Sequence, residues 1–122
     1  MNTKTYTTSI DIPEAKRAPL IKLLNLHVAN LLTLYSQAKH AHWNVKGSDF
    51  IQLHELFDDL AASVLEHLDD TAERAVQLGG VAFGTVQSAS ENATLPHYPL
   101  EAVDGRAHLD ALANSSGLTQ RT

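Results

Sequence analysis

Cysteine is absent from the 122 residues, so neither a disulfide nor a thiolate ligand enters the chemistry. No apolar run is long enough to span a bilayer, and no charged segment followed by an apolar one opens the chain as a secretory signal would. Together these absences lead us to expect a soluble, cytoplasmic protein without membrane partners. Basic residues are few. Lys and Arg number 9 against 14 Asp and Glu, a formal net charge of −5. Because phosphate contacts are made by Lys and Arg, this balance argues against DNA affinity from the globular body. The imbalance is concentrated, since Asp49 to Glu73 holds eight acids and neither Lys nor Arg. The length fits one modest domain, and nothing divides it.

What the chain does have is two long stretches of helical periodicity. The first is expected to begin near Pro19, where a first helical turn tolerates the missing N–H, and to run to about Val45, with Gly47 stopping it. Leu20, Leu24, His27, Val28, Leu31, Leu34, Tyr35, Ala38 and His42 fall on one broad stripe. The second starts at Asp49, with Ser48 or Asp49 as cap and Asp49/Gln52 resembling a capping box, and Gly79-Gly80 ends it. Its apolar arc includes Leu53, Leu56, Phe57, Leu60, Ala61, Val64, Leu65, Leu68, Ala72, Ala75 and Val76. Residues 1–18 read as a flexible arm. From Val81 to Pro99 the composition turns small and polar, marking a connector with a short helix over residues 85–92. A third helix is expected from Pro99 through Leu100, Val103, Leu109 and Leu112, and residues 114–122 carry no helical pattern. A third helix of about ten residues cannot cover both long apolar stripes, so an exposed apolar patch is expected, which marks either an obligate partner or aggregation.

The candidate chemistry lies on the second helix. At about 100° per residue, His54, Asp58, Asp69 and Glu73 project at roughly 0°, 40°, 60° and 100°, one strip on the border between core and water. His54 and Asp58 are i,i+4 neighbours, as are Asp69 and Glu73, so each pair can converge on one ion. The two pairs are about 16 Å apart along the helix, too far to close one site. They are, however, symmetric about Ser63/Val64, and so are Ala62 and Leu65. An antiparallel two-fold crossing there would set His54 and Asp58 of one chain against Glu73 and Asp69 of another, giving two identical sites. The small run Ala61-Ala62-Ser63 allows close approach at the crossing. A mixed set of imidazole and carboxylate suits iron, manganese or zinc rather than calcium.

His42 alone on an apolar stripe reads by default as a hydrogen-bonded core residue, and the acid strip that follows turns that reading toward ligation. His40 projects to the opposite side and reads as solvated, and His27 as structural. Glu55, Asp59, Glu66 and Asp70 read as a solvated face, with Asp70 and Arg74 as an i,i+4 pair. Geometry alone does not separate Glu73 from Glu55. Trp43 reads by default as core or interface.

The run Lys39-His40-Ala41-His42-Trp43-Asn44-Val45-Lys46-Gly47, then Leu53-His54-Glu55-Leu56-Phe57-Asp58, then Asp69, then Ala72-Glu73-Arg74-Ala75-Val76-Gln77-Leu78-Gly79-Gly80, resembles the Dps family, the DNA-binding proteins from starved cells or miniferritins. The resemblance covers roughly residues 10 to 113. It implies an all-α, ferritin-like four-helix bundle of which the first two helices, the connector and only the start of the third are present, with residues 19–113 as the domain and 114–122 as a non-matching tail. In that family the positions matching His42, His54, Asp58, Asp69 and Glu73 form a ferroxidase centre shared between two-fold-related subunits. Trp43 would lie close to the iron and could relay an electron. The implied activity is oxidation of Fe(II) to Fe(III), with hydrogen peroxide as oxidant, and storage of the ferric product in a twelve-subunit shell built from homodimers. Lysine-rich arms are one route to DNA in the family, and the arm here is only slightly basic. The alternatives are a non-enzymatic DNA-compacting protein associated with the nucleoid, or an inactive fragment cut short at its end.

The charge balance yields a direct expectation. In a gel-shift assay, any complex with duplex DNA should be lost by about 0.2 M salt, where phosphate-driven binding has fallen steeply; a shift that persists there would contradict it.

Overall fold

In the computed structural model, which describes residues 5–8 and 10–117, the chain is all-α. Four helices follow in order: α1 (Glu14–Asn44), α2 (Phe50–Gln77), α3 (Val86–Asn92) and α4 (Gly105–Ser115). α1 and α2 form an antiparallel hairpin that is the body of the fold. Ala38 and Ala41 of α1 meet Phe57 and Ala61 of α2, Val45 from the turn and Leu112 of α4 close the cluster, and Leu34, Tyr35, Leu53, Leu60 and Tyr98 surround it. Alanines at the contact bring the two backbones close, and the phenyl ring of Phe57, 1% exposed, fills the space beside them. No helix among the described residues is long and apolar enough to cross a membrane.

α2 starts and stops where its sequence says. Asp49 occupies the N-cap, although its side chain makes no cap hydrogen bond, so the capping box does not form. At the other end Gly79 adopts φ +91°, its N–H bonds Val76 O at 2.9 Å, and Gly80 N–H bonds Ala75 O at 3.0 Å. These are the paired bonds of a Schellman motif, which a left-handed glycine permits.

α1 differs from expectation in both start and face. It begins at Glu14 rather than Pro19, with Pro13 at the N-cap. Arg17 explains the extra turn: its Nε donates to Ile12 O at 3.0 Å and its Nη1 to Leu78 O at 2.8 Å. A tertiary bond thereby holds the segment helical through the proline. The preceding residues, expected to be a flexible arm, are tied to the same helix end, with Tyr6 N–H bonding Gly79 O and Thr8 Oγ1 bonding Gln77 O, both at 2.5 Å; residues 1–4 and 9 lie outside the described residues. The buried face of α1 is Ile21, Asn25, Val28, Ala29, Gln37, Ala38 and Ala41. Leu20 is 41% exposed and His27 is also exposed, so the expected stripe is displaced by about one residue. α1 is apolar on more than one side, and α2 packs on the side rich in small residues, leaving Leu20, Leu23 and Leu26 outside.

The connector is clamped along α1 by three amide side chains. Asn25 donates to Val81 O and accepts from Phe83 N–H, each at 2.9 Å. Asn30 donates to Thr94 Oγ1 at 3.1 Å and accepts from Thr94 N–H at 2.8 Å. Gln37 donates to Pro96 O at 3.1 Å. Between these points α3 forms as expected, with Thr85 Oγ1 accepting from Ser88 N–H at 3.1 Å. The last helix begins at Gly105, later than the predicted Pro99. Asp104 caps it by accepting from Ala107 N–H at 2.9 Å, and Lys46 N–H bonds Val103 O at 3.0 Å, which draws the preceding residues into an extended bridge. Leu100 and Val103, predicted on its apolar stripe, are 75% and 55% exposed. α4 runs to Ser115, two residues beyond the expected limit of the domain; residues 118–122 of the predicted tail lie outside the described residues.

Gly79 and Gly47 together test the helix end. A Cβ at Gly79 would lie 2.3 Å from Tyr6 O and 2.7 Å from Arg17 Nη1, whereas one at Gly47, φ +124°, would meet nothing within 4 Å. Gly47→Ala is expected to cost about 1–3 kcal/mol from backbone strain alone, and Gly79→Ala measurably more. Equal losses in thermal unfolding would mean that the arm does not dock on the end of α2.

Candidate metal centre

His42 leaves α1 in its last turn and His54 leaves α2 in its second, facing it across the hairpin. The rings stack with centroids 3.8 Å apart and planes 22° apart. His42 Nδ1 lies 2.6 Å from His54 O, and His54 Nδ1 lies 2.8 Å from His42 O. A carbonyl only accepts, so in both imidazoles Nδ1 carries a proton, and in the neutral ring the lone pair is then on Nε2. His42 O is among the last carbonyls of α1, which lack helical partners, so the exchange also satisfies a helix end. Both histidines are fixed in the tautomer that binds a metal through Nε2, with the other nitrogen held by backbone as ligating histidines generally are.

Asp58 follows His54 by one turn of α2. Its Oδ1 is 4.0 Å from His42 Nε2 and 2.8 Å from Lys39 Nζ. The hydrogen bond from Lys39 holds the Asp58 carboxyl below its ordinary value; partial desolvation opposes this, and the fields of Lys39, His42 and His54 add to the lowering. Asp58 is therefore charged, and Lys39 is the cation paired with it among the described residues. The Lys39 ammonium also stands 5.5 Å from the centre of the Trp43 ring. Trp43 itself is 66% exposed, at the rim of this cluster rather than in the core.

Asp69 and Glu73 come together elsewhere, near the far end of α2. With Asp70 they offer one ligand atom each within 4.8 Å of one another, and all three are exposed. Asp70, expected to pair with Arg74, joins this acid group instead. About 16 Å of helix rise separates Asp58 from Asp69, so one chain presents two half-sets: His42, His54 and Asp58 at one end, Asp69 and Glu73 at the other. The donor types, two imidazoles and three carboxylates, fit a first-row metal such as iron. The Asp58–Lys39 pairing was missed by sequence reasoning, although an i,i+3 spacing from Lys39 to His42 was the available signal. His40, expected in solvent, instead turns inward, its ring edge-on to Tyr98 at 5.1 Å and 6.3 Å from His108; only the fold of the connector brings those partners to it.

Comparison with known proteins identifies the family. Residues 21–116 match the family model described as a ferritin-like domain. The DNA protection during starvation protein of Agrobacterium fabrum is 40% identical over 114 residues, 93% of this chain and 70% of that protein. That of Brevibacillus brevis is 40% identical over 73 residues, 60% of this chain and 49% of that protein. Against the crystal structure of Mycobacterium smegmatis Dps the TM-score is 0.87 at 30% identity, covering 96% of this chain and 72% of that one. The chain thus spans from about half to about seven tenths of its relatives' lengths.

The Asp58 carboxyl offers a measurement at the site. Its stabilising pairing is present above the ordinary carboxylate range and is lost as pH falls through the lowered value. In Lys39→Met, carboxyl NMR should show Asp58 titrating at higher pH than in the parent; an unchanged midpoint would mean that the ion pair does not form.

Proposed function

The chain belongs to the Dps branch of the ferritin-like family, and on that premise we propose that it takes Fe(II) as substrate and oxidises it to Fe(III). The purpose of the reaction is iron storage and protection of DNA from oxidative stress, the oxidant is hydrogen peroxide, and the setting is the cytoplasm. The carrying observation is the division of the donors into two half-sets on one helix. His42, His54 and Asp58 of one chain, with Asp69 and Glu73 of a second copy, make a complete His/carboxylate site, and the pair of chains makes two. Imidazole Nε2 atoms already freed by their backbone contacts bind without a change of tautomer. The carboxylates favour the ferric product because its charge is higher. Asp58 exchanges its Lys39 partner for iron, and Trp43, beside it, is placed in our reading to pass an electron.

The surface of α2 supports a two-fold partner. Ile51 and Val76 are symmetric about Ser63/Val64, as the two ligand pairs are, and are 59% and 57% exposed. Leu65, 47% exposed, and the exposed Ala62 lie nearer the centre of the same strip. An apolar strip flanked by acids and symmetric about one point suits contact with itself.

Complementation tests the shared site. A chain carrying His54→Ala with Asp58→Ala, and another carrying Asp69→Ala with Glu73→Ala, should each be nearly inactive in Fe(II) oxidation as homodimers. Refolded together, they form mixed dimers in which one site collects all intact residues, and activity should return to about half per mixed dimer, as two-fold symmetry requires. Mixed dimers that oxidise no more iron than either parent would rule out a site built from two chains.

A further inference from the structure

A second group of titratable side chains lies in the core, joins α4 and the connector to the hairpin, and takes no part in the proposed iron chemistry. His108 of α4 is 0% exposed. Its Nδ1 is 2.6 Å from the Tyr98 hydroxyl, and the two rings stack with centroids 5.8 Å apart. His40 of α1 stands edge-on to Tyr98, and Phe57 of α2 meets His108 edge-on at 6.2 Å. His40 Nε2 and His108 Nε2 are both buried without a hydrogen-bond partner, an exception to the rule that buried polar atoms are satisfied.

A protonated His108 has only the field of Asp104 to balance its charge here. From α1 it faces His40, which adds only like charge if protonated. From the connector it faces Tyr98, whose hydroxyl is kept neutral by burial, its pKa pushed up to about 12. From α2 it faces Phe57, which is uncharged. On its own helix, Asp104 exerts an attractive field, but its carboxylate is engaged by Ala107 N–H. Arg106 and Asp110 pair with each other in solvent. Burial first, and His40 second, lower the His108 pKa from the ordinary histidine value, with Asp104 pulling the other way. The remaining ties of α4 to the hairpin are slight: Leu112 in the core cluster, the Lys46–Val103 hydrogen bond, and Gly105 against Leu53.

We propose that the His40–Tyr98–His108 cluster is an acid-released latch, which holds α4 and the connector on the α1–α2 hairpin while His108 is neutral and frees them when His108 takes up a proton. In the closed state His108 binds its proton less readily than in an opened one, where its pKa returns to about 6.5. The closed state is therefore favoured above that pH. Below it, the ratio of closed to open falls by about tenfold per pH unit until the lowered value is reached, because one proton is linked to opening. The inference stands independently of the iron reading, since none of the proposed ligands belongs to the cluster.

Hydrogen exchange followed by mass spectrometry on the full chain tests it, with rates corrected for the intrinsic effect of pH. Between about pH 7.5 and 5.5, opening of residues 104–115 should rise as pH falls below about 6.5, with tenfold per pH unit as the upper limit of the slope, while residues 57–75 of α2 keep their protection. In His108→Gln, which cannot take up a proton, the slope should vanish. A flat profile in the parent, a parallel loss in α2, or the same slope in His108→Gln would each overturn the latch. Should the variant not fold, NMR titration of the His108 imidazole in the parent decides the matter: a midpoint below about 6.5 supports the latch, and one at or above it refutes it.

Discussion

The close packing of α1 on α2 is the constraint from which the other features follow. Ala38, Ala41 and Ala61 at the contact let the backbones approach until an imidazole on either helix reaches a carbonyl on the other. A larger residue at any of these positions would separate the helices and break the His42–His54 exchange, whose two bonds are only 2.6 and 2.8 Å long. The exchange sets the tautomers, and the tautomers decide which nitrogen faces outward toward Asp58. Packing, a helix end and the tautomers of two proposed ligands thus rest on the same few contacts.

The hairpin also explains what the chain leaves exposed. Each long helix has more than one apolar side and can give only one to its neighbour. α1 spends its small-residue side on α2 and a row of amides, Asn25, Asn30 and Gln37, on the connector, so Leu20, Leu23 and Leu26 stay at the surface. α2 keeps Ile51, Leu56, Leu65 and Val76 exposed. Along α2 Ile51, Leu65 and Val76 share a strip with Asp58 and Asp69, whereas Leu56 projects to the other side, so in the proposed pairing the face that meets a partner is also the face that carries the donor half-sets. A monomer with this surface would be poorly soluble; a symmetric pair would bury the strip and complete the sites together.

The protein uses histidine in two electrostatic settings. His42 and His54 lie near Asp58, with His42 Nε2 4.0 Å from its carboxylate. His108 lies where burial and a second histidine disfavour charge and its hydroxyl partner stays neutral. Equal side chains thereby meet opposite settings, one pair beside a carboxylate and the other residue in a pocket that disfavours charge.

The helical hairpin, its glycine stop, the short helix after Thr85, and the strip of His54, Asp58, Asp69 and Glu73 were all legible in the sequence, because each depends on periodicity or on a residue's own backbone preference. So was the division of the strip into halves, which needs only the rise of a helix. The start of α1, the face it buries, the late start of α4 and the inward turn of His40 were not. Each is decided by a group distant in the chain: Arg17 reaching Leu78, α2 selecting the alanine side of α1, Lys46 drawing Val103 into a bridge, and Tyr98 and His108 arriving beside His40. Local pattern shows which conformations a segment can adopt, and where two are nearly equal in energy, a single tertiary hydrogen bond or buried ring is enough to choose between them.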